Sequence, residues 1–278
     1  MYDNGSLKPK PKAPKLSKKA QIEAKPKQNR LLSVISDPPT VKNEFQINTI
    51  AYGDQINPRG AVLSNGNIIA VWQDAAGEDG SKSGVFFQIV SSIGEKINTQ
   101  VQANTYYQDH QKMPEIIALP KSDGGFLIVW VTTKQGNDPD EGIRGQFFYA
   151  NGQTRLSEFH INTYTYNNQT EPTLSLSYKQ DRIIVAWNSI GQDGDKGGIY
   201  YQILDFSGNK LLASEMQVDS NPLGNQITPK IVPMEDDGYV ILWINVDQQA
   251  IYQQRYTSSN KTNGYKFKIN TSFGVIYS

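Results

Sequence analysis

The sequence predicts an all-β fold built from four copies of one unit. Trp72, Trp130, Trp187 and Trp243 are spaced 58, 57 and 56 residues apart, and each ends a short apolar run such as FLIVW (126–130). A Gln-x-x-Pro motif precedes each run, and a Gln-containing run follows it. Gly, Asn and Asp mark the turns between the runs, and no segment shows the periodicity of a helix.

Each unit offers four short strands in a fixed order. The first follows the proline, the second ends in Trp, the third resembles GIYYQ (198–202) and the fourth resembles FHINT (159–163). A sheet of this size cannot bury both faces alone, so such units stack around an axis. The sequence therefore predicts a β-propeller of four four-stranded blades. We expect the tryptophans to pack between blades and the repeated Gln side chains to satisfy backbone groups between blades.

A basic N-terminal arm precedes the repeats. Residues 1–44 hold ten Lys or Arg and four acidic residues, a net charge of +6, whereas the rest of the chain carries −6. The arm is rich in Lys, Pro and Ala, and it cannot bury enough apolar surface to fold alone, which predicts a disordered or extended segment. The predicted organisation is an arm (1–44) and a propeller (45–278) with units at about 45–100, 101–158, 159–216 and 217–278.

The composition excludes several classes of site. The chain has no cysteine, which rules out disulfides, thiolate metal sites and cysteine nucleophiles. Its two histidines, His110 and His160, lie in different contexts, and no G-x-S-x-G motif is present. No apolar run approaches the ~20 residues of a membrane span. The start of the chain does not resemble a signal peptide. We therefore expect no membrane span and leave localisation open: a cell-surface location if a signal was removed, otherwise an intracellular one.

The repeat resembles a known tandem class. The segment from FHINTYTYNNQTEP to GGIYYQILDFSGNK (159–210) is similar to repeats of bacterial adhesin-like and ciliate surface or scaffold proteins. The resemblance extends over residues 45–271 and is weakest in the fourth unit, where AIYQQ replaces the Gly-initial strand. It implies non-enzymatic surface or scaffold modules and provides no catalytic residue to transfer.

Acidic loops occur at the same place in three units, after the Trp strand. Clustered carboxylates with glycine are able to bind Ca²⁺ through oxygen ligands, although none of these loops has EF-hand spacing. Calcium is the only cofactor considered, and a solvated turn is the alternative interpretation. The candidate ligands are Asp74, Asp79, Asp138, Asp140, Asp193 and Asp195.

The chain holds five INT-like runs but only four Trp strands. FQINT (45–49) is the surplus copy, and we expect it either to pair with the edge of the last blade as a clasp or to pair with another copy of the protein. The ring would then close within one chain or be shared between chains. The arm could contact nucleic acid or an anionic surface, or be only a solvated linker. The candidate partner-binding residues are Lys8, Lys10, Lys12, Lys15, Lys18, Lys19, Phe45 and Ile47.

These features predict a non-catalytic structural or adhesion-type scaffold that associates with itself or with a protein partner. The alternative is a lectin-like propeller that binds a glycan, or a ligand through Ca²⁺. A glycosidase-like propeller is third, because acidic residues are plentiful but no unit matches the sialidase-type Asp box S-x-D-x-G-x-x-W. The main expectation is that the protein is not an enzyme.

Overall fold

The fold consists of four antiparallel sheets of four strands each. It is described from a computed structural model over residues 44–136 and 138–270. Within each sheet the strands pair in chain order, from the innermost to the outermost. This confirms the predicted all-β propeller of four four-stranded blades. No helix in this part of the chain has the length and hydrophobicity that a membrane crossing requires.

The strands of each blade follow one another without interruption along the chain. Blade 1 contains β1 Gln55–Val62, β2 Ile68–Asp74, β3 Gly84–Val90 and β4 Lys96–Gln102. Blade 2 contains β5 Gln111–Ala118, β6 Phe126–Thr133, β7 Glu141–Phe148 and β8 Phe159–His160. Blade 3 contains β9 Gln169–Leu176, β10 Ile183–Ile190, β11 Gly197–Leu204 and β12 Met216–Gln217. Blade 4 contains β13 Gln226–Pro233, β14 Tyr239–Asn245, β15 Ala250–Tyr256 and β16 Phe267–Lys268.

Apolar clusters join successive blades. Trp130 packs between blades 1 and 2, Trp187 between blades 2 and 3, and Trp243 between blades 3 and 4. All three side chains are at most 1% exposed, which confirms the predicted packing role for these three; Trp72 is buried but lies in none of these clusters. Pairs of aromatic rings add to all three clusters, as in the T-shaped contact of Phe87 with Phe126 at 5.3 Å. Among the described residues, no such cluster joins blade 4 to blade 1, so closure of the ring stays a prediction.

A bulge interrupts the innermost strand of every blade at its Gln-x-x-Pro motif. The residue before each proline has a positive φ: 54° at Asn57, 52° at Met113, 52° at Glu171 and 56° at Thr228. The strand register shifts at the same place in each blade, opposite the tryptophan. Proline has no N–H to donate, so it is tolerated at a bulge in an edge strand. The innermost strand therefore begins before the proline, not after it as the sequence suggested.

The surplus INT-like run is not a clasp on the last blade. Residues 45–49 lie in no strand, and the outer strand of blade 4 is β16, from the C-terminal FKINT copy. Asn48 Nδ2 instead donates to Gln55 Oε1 at 3.1 Å, as Asn104 Nδ2 does to Gln111 Oε1 at 3.2 Å where the chain enters blade 2. The predicted clasp on the last blade is wrong because blade 1 needs the same entry contact that every later blade receives from its predecessor. Pairing with another copy of the protein stays a prediction.

Candidate functional site

A pocket of about 500 Å³ lies where the four innermost strands meet. We call it the axial pocket. Its lining comes from the bulges and their flanks: Asn57 and Arg59 of β1, Met113 and Glu115 of β5, Glu171 and Pro172 of β9, and Thr228, Pro229 and Lys230 of β13. The volume lies within the range of small-molecule sites. Each blade thus contributes its proline motif to one shared cavity.

The polar groups of the axial pocket are held in two pairs. Arg59 Nε donates to Glu115 Oε1 at 2.7 Å, which links β1 to β5. The backbone N–H of Thr228 donates to Glu171 Oε2 at 2.6 Å, which links β9 to β13. Lys230 has no ion-pair partner among the described residues. Two carboxylates and two cations therefore converge on one cavity.

Two carboxylates from neighbouring inner strands are the groups that glycoside hydrolysis requires. One acts as an acid on the leaving oxygen, and the other acts as a base or nucleophile. Neither Glu115 nor Glu171 was among the site residues predicted from the sequence. One feature of the sequence could have indicated them. Both residues flank the proline of the repeated Gln-x-x-Pro motif, and the flanking side chains differ from unit to unit although the motif itself is constant.

Two of the aspartates predicted to bind calcium, Asp74 and Asp195, accept hydrogen bonds from groups of the protein itself. Asp74 Oδ1 accepts from the N–H groups of Ala76 and Glu78 at 3.0 and 3.2 Å, and its Oδ2 accepts from Gln55 Nε2 at 3.1 Å. Asp195 Oδ2 accepts from the N–H of Gly224 at 2.8 Å. These contacts order the loops and tie them to the chain that enters a blade.

Three of these aspartates occupy one repeated position, each folded over the glycine at the start of a third strand. Asp79 lies against Gly84, Asp138 against Gly142 and Asp193 against Gly198, and a Cβ on any of these glycines would collide with the carboxylate. Burial raises the pKa of Asp193, and the hydrogen bond from the Asp195 backbone N–H opposes part of this rise. The glycine in the third-strand motif is therefore explained by a carboxylate that needs its space.

Asp138 has a setting of its own. Its buried carboxylate lies 3.1 Å from Arg144 Nη2 and 3.1 Å from His160 Nε2. Asp140 is exposed, and its backbone carbonyl accepts from the N–H of Lys134. In residues 44–136 and 138–270, no three His, Asp or Glu side chains are grouped as metal ligands. Calcium binding stays a prediction.

The repeated Gln side chains perform two different tasks. Those of the Gln-x-x-Pro motif receive the chain from the preceding blade, as when Gln169 Nε2 donates to Tyr166 O at 2.9 Å. This agrees with the expected role between blades. Those of the third strand instead act within a blade, as when Gln202 Nε2 donates to Leu212 O at 3.2 Å. For the latter group the expected role was wrong, because the loop between the third and fourth strands needs these partners.

A second repeated arrangement ties the incoming chain to each of the first three blades, and we call it the entry clasp. In blade 2, Glu158 accepts from the N–H groups of Thr105 and Tyr106 at 2.8 and 3.3 Å, and from Gln135 Nε2 at 2.6 Å. Glu215 and Gln192 form the same clasp in blade 3. In both blades the Gln of the acidic loop, Gln135 or Gln192, therefore donates to the carboxylate of the entry clasp.

Blade 1 forms the entry clasp with the two side chains exchanged. Gln100 Oε1 accepts from the N–H groups of Thr49 and Ile50 at 2.7 and 3.2 Å, while its Nε2 donates to both oxygens of Glu78 at 2.8 and 3.0 Å. Each of the first three blades therefore pairs one amide with one carboxylate.

The predicted partner-binding residues are only partly described. The arm residues Lys8, Lys10, Lys12, Lys15, Lys18 and Lys19 lie outside the described residues. Phe45 is 42% exposed and Ile47 is half-buried. Lys96 of β4 donates to the carbonyl of Asn48, so this part of the chain lies along the outer strand of blade 1. The partner contacts of these residues stay a prediction.

Solved structures with the same fold are similar to the described blades at low sequence identity. An endo-arabinase from Bacteroides thetaiotaomicron has a TM-score of 0.50 and 13% identity, over 82% of this chain and 85% of its own. An α-L-arabinofuranosidase from Fusarium graminearum has a TM-score of 0.53 and 13% identity, over 77% and 66%. A sialidase from Streptococcus pneumoniae has a TM-score of 0.55 and 10% identity, over 84% and 54%.

These comparisons correct the functional expectation. No family model and no curated protein matches the sequence. The three solved structures named above are glycosidases, which contradicts the prediction of a non-catalytic structural or adhesion scaffold and the prediction that the protein is not an enzyme. The resemblance to tandem surface repeats misled the functional prediction because it describes how a blade is built and contains no site.

Proposed function

We propose that this protein is a glycoside hydrolase whose catalytic site is the axial pocket. The observation that carries the proposal is the convergence of Glu115 and Glu171 on one cavity of about 500 Å³. The glycosidase activities of the three similar solved structures support the same reaction class. The four-blade frame positions the two carboxylates, and the strained bulges fix where they point.

In this mechanism the two carboxylates would share the acid and base work of glycosidic bond cleavage. Arg59 would hold the Glu115 side chain in place, and the N–H of Thr228 would do the same for Glu171. Lys230 is the cation without a partner, and it would donate hydrogen bonds to substrate oxygens. The walls formed by Met113, Pro172 and Pro229 would exclude part of the solvent.

The test is hydrolysis of aryl arabinofuranosides, sialosides and related glycosides, and of arabinan, by the purified chain. Glu115→Gln and Glu171→Gln should each lower kcat by roughly 10²- to 10⁴-fold, the usual contribution of an acid or base. Glu235→Gln is the matched control, because Glu235 is exposed and lies outside the pocket. Hydrolysis that survives both pocket substitutions would place the chemistry elsewhere.

A glycan-binding propeller without hydrolysis is the second candidate. It is favoured by one observation: both pocket carboxylates are already engaged, Glu115 by Arg59 and Glu171 by the backbone of Thr228. Sugar binding that is weakened by Glu171→Gln, without turnover of any glycoside, would select this candidate. A chain that neither binds nor cleaves any glycan would overturn both.

A further inference from the structure

We propose that a second pocket, at the entry clasp of blade 2, binds one neutral sugar unit outside the axial pocket. This outer pocket has a volume of about 500 Å³. It is lined by side chains of Thr, Tyr, Gln, Ser and Glu, from the connector that enters blade 2 and from the third strand and loops of that blade. The inference is independent of the proposed hydrolase, because no residue of the outer pocket belongs to the axial one.

The chemistry of the lining favours a polyhydroxylated ligand. Thr105, Thr154 and Ser157 each present a hydroxyl, which both donates and accepts as a sugar hydroxyl does. Gln146 adds an amide whose Oε1 accepts from Thr105 Oγ1 at 3.3 Å and whose Nε2 donates to Thr154 Oγ1 at 3.3 Å. These contacts are long enough for a better-placed ligand hydroxyl to replace them. Tyr106 is half-buried and supplies an apolar ring beside the polar groups.

The electrostatics of the outer pocket select against charged ligands. The described lining contains no lysine or arginine, so an anionic sugar would find no counter-charge. Its one carboxylate, Glu158, already accepts from Thr105 N, Tyr106 N and Gln135 Nε2. A cation would have to displace these three donors, whereas an anion would meet the negative charge of Glu158.

In blade 3 a lysine occupies the position that corresponds to Thr154 of the outer pocket. Thr154, Lys210 and Thr262 occupy one repeated position, because each makes the same isolated bridge to the end of the third strand. In blade 3 the half-buried Lys210 reaches across the corresponding space, and its Nζ donates to Asn162 O at 3.4 Å. Burial lowers the pKa of Lys210, which agrees with a side chain that fills the space. The shorter side chain of Thr154 leaves the corresponding space open in blade 2.

The experiment measures sugar binding to the full chain by saturation-transfer NMR and calorimetry. The probes are free arabinose, xylose, galactose and glucose, with glucuronate and sialate as anionic comparisons. Thr154→Lys copies the side chain of blade 3 and should weaken binding of the neutral sugars at least ten-fold. Thr262→Lys is the matched control, since it makes the same substitution at the same exposed position of blade 4. Thr105→Val, which keeps side-chain size, should also weaken binding.

The outcomes separate this pocket from the axial one. Neutral-sugar binding that Thr154→Lys weakens at least ten-fold, but Thr262→Lys leaves unchanged, supports the outer pocket whether or not the protein hydrolyses glycosides, because neither substitution touches the axial pocket. The proposal is overturned if the unmodified chain binds none of the neutral sugars, if Thr154→Lys binds them normally, or if the anionic sugars bind more tightly. Unchanged melting temperatures of the three threonine variants confirm that the fold is intact.

Discussion

The exchanged clasp of blade 1 provides a direct test of how the propeller is held together. Gln100→Glu would place a second carboxylate where Nε2 now donates to both oxygens of Glu78. Hydrogen bonds to a charged group contribute about 1.5–3 kcal/mol when buried, but Glu78 is half-exposed, so we count about 1 kcal/mol for the pair. Repulsion between two carboxylates near the surface adds about 1 kcal/mol. We expect a loss of about 2 kcal/mol at pH 7.

The compensating change should restore what the single change removes. Adding Glu78→Gln to Gln100→Glu rebuilds the pairing that Gln135 and Glu158 use in blade 2. The double variant should return to within about 0.5 kcal/mol of the unmodified chain, measured by urea unfolding with tryptophan fluorescence. Two single effects that simply add in the double variant would refute the clasp, because independent residues show no coupling energy.

The penalty of Gln100→Glu should also depend on pH. Burial and the nearby Asp74 already raise the pKa of Glu78. The folded state therefore binds a proton at Glu78 more readily than the unfolded state does, and its stability falls as pH rises through the folded pKa. A second carboxylate enlarges this effect. The difference in unfolding free energy between the variant and the unmodified chain should be larger at pH 7 than at pH 5.

Two further substitutions test the loop and the last blade. Gly142→Ala should cost about 2 kcal/mol, because its Cβ would collide with the buried carboxylate of Asp138; Gly60→Ala, whose Cβ would lie 3.4 Å from a backbone oxygen, should leave the melting temperature nearly unchanged. Lys266→Glu should lower the melting temperature by removing the 2.6 Å ion pair with Asp219. Adding Asp219→Asn should recover it, because Glu and Asn are the side chains that blades 2 and 3 carry at these two positions. If the melting temperature of the double variant does not recover, blade 4 does not use the contacts by which blades 2 and 3 hold the incoming chain.

The strands were predictable because their signals are local and repeated. The apolar run ending in Trp187 and the glycine-bounded turns predict strand and turn without any long-range information. The order of strands in a blade follows from the four marker types, and the stacking of blades follows from sheets with two apolar faces. The bulge was not predictable from the Gln-x-x-Pro motif alone. A positive φ at Thr228, a β-branched residue, is a conformation that single-residue preferences argue against.

The axial pocket was not predicted because it depends on the same bulges. Glu115 and Glu171 lie at different offsets from their prolines, one after and one before, so aligning the units does not superimpose them. Only the bulge and the arrangement of blades bring them to one cavity. The acidic loops drew attention because their carboxylates superimpose between units. Carboxylates that recur at one position in every unit are typical of a structural role, since every blade needs the same turn.

A functional site in a repeat protein has to break the symmetry that the fold imposes. The backbone before each proline has nearly the same φ in all four blades, at a cost of about 1–3 kcal/mol per strained residue. The side chains there are Asn57, Met113, Glu171 and Thr228, and no two are alike. The clasps keep one plan across blades 1 to 3, even where an amide and a carboxylate trade places. A constant, strained frame with different side chains suits an asymmetric ligand, which supports the proposal that the axial pocket is the functional site and that the repeated carboxylates hold the blades.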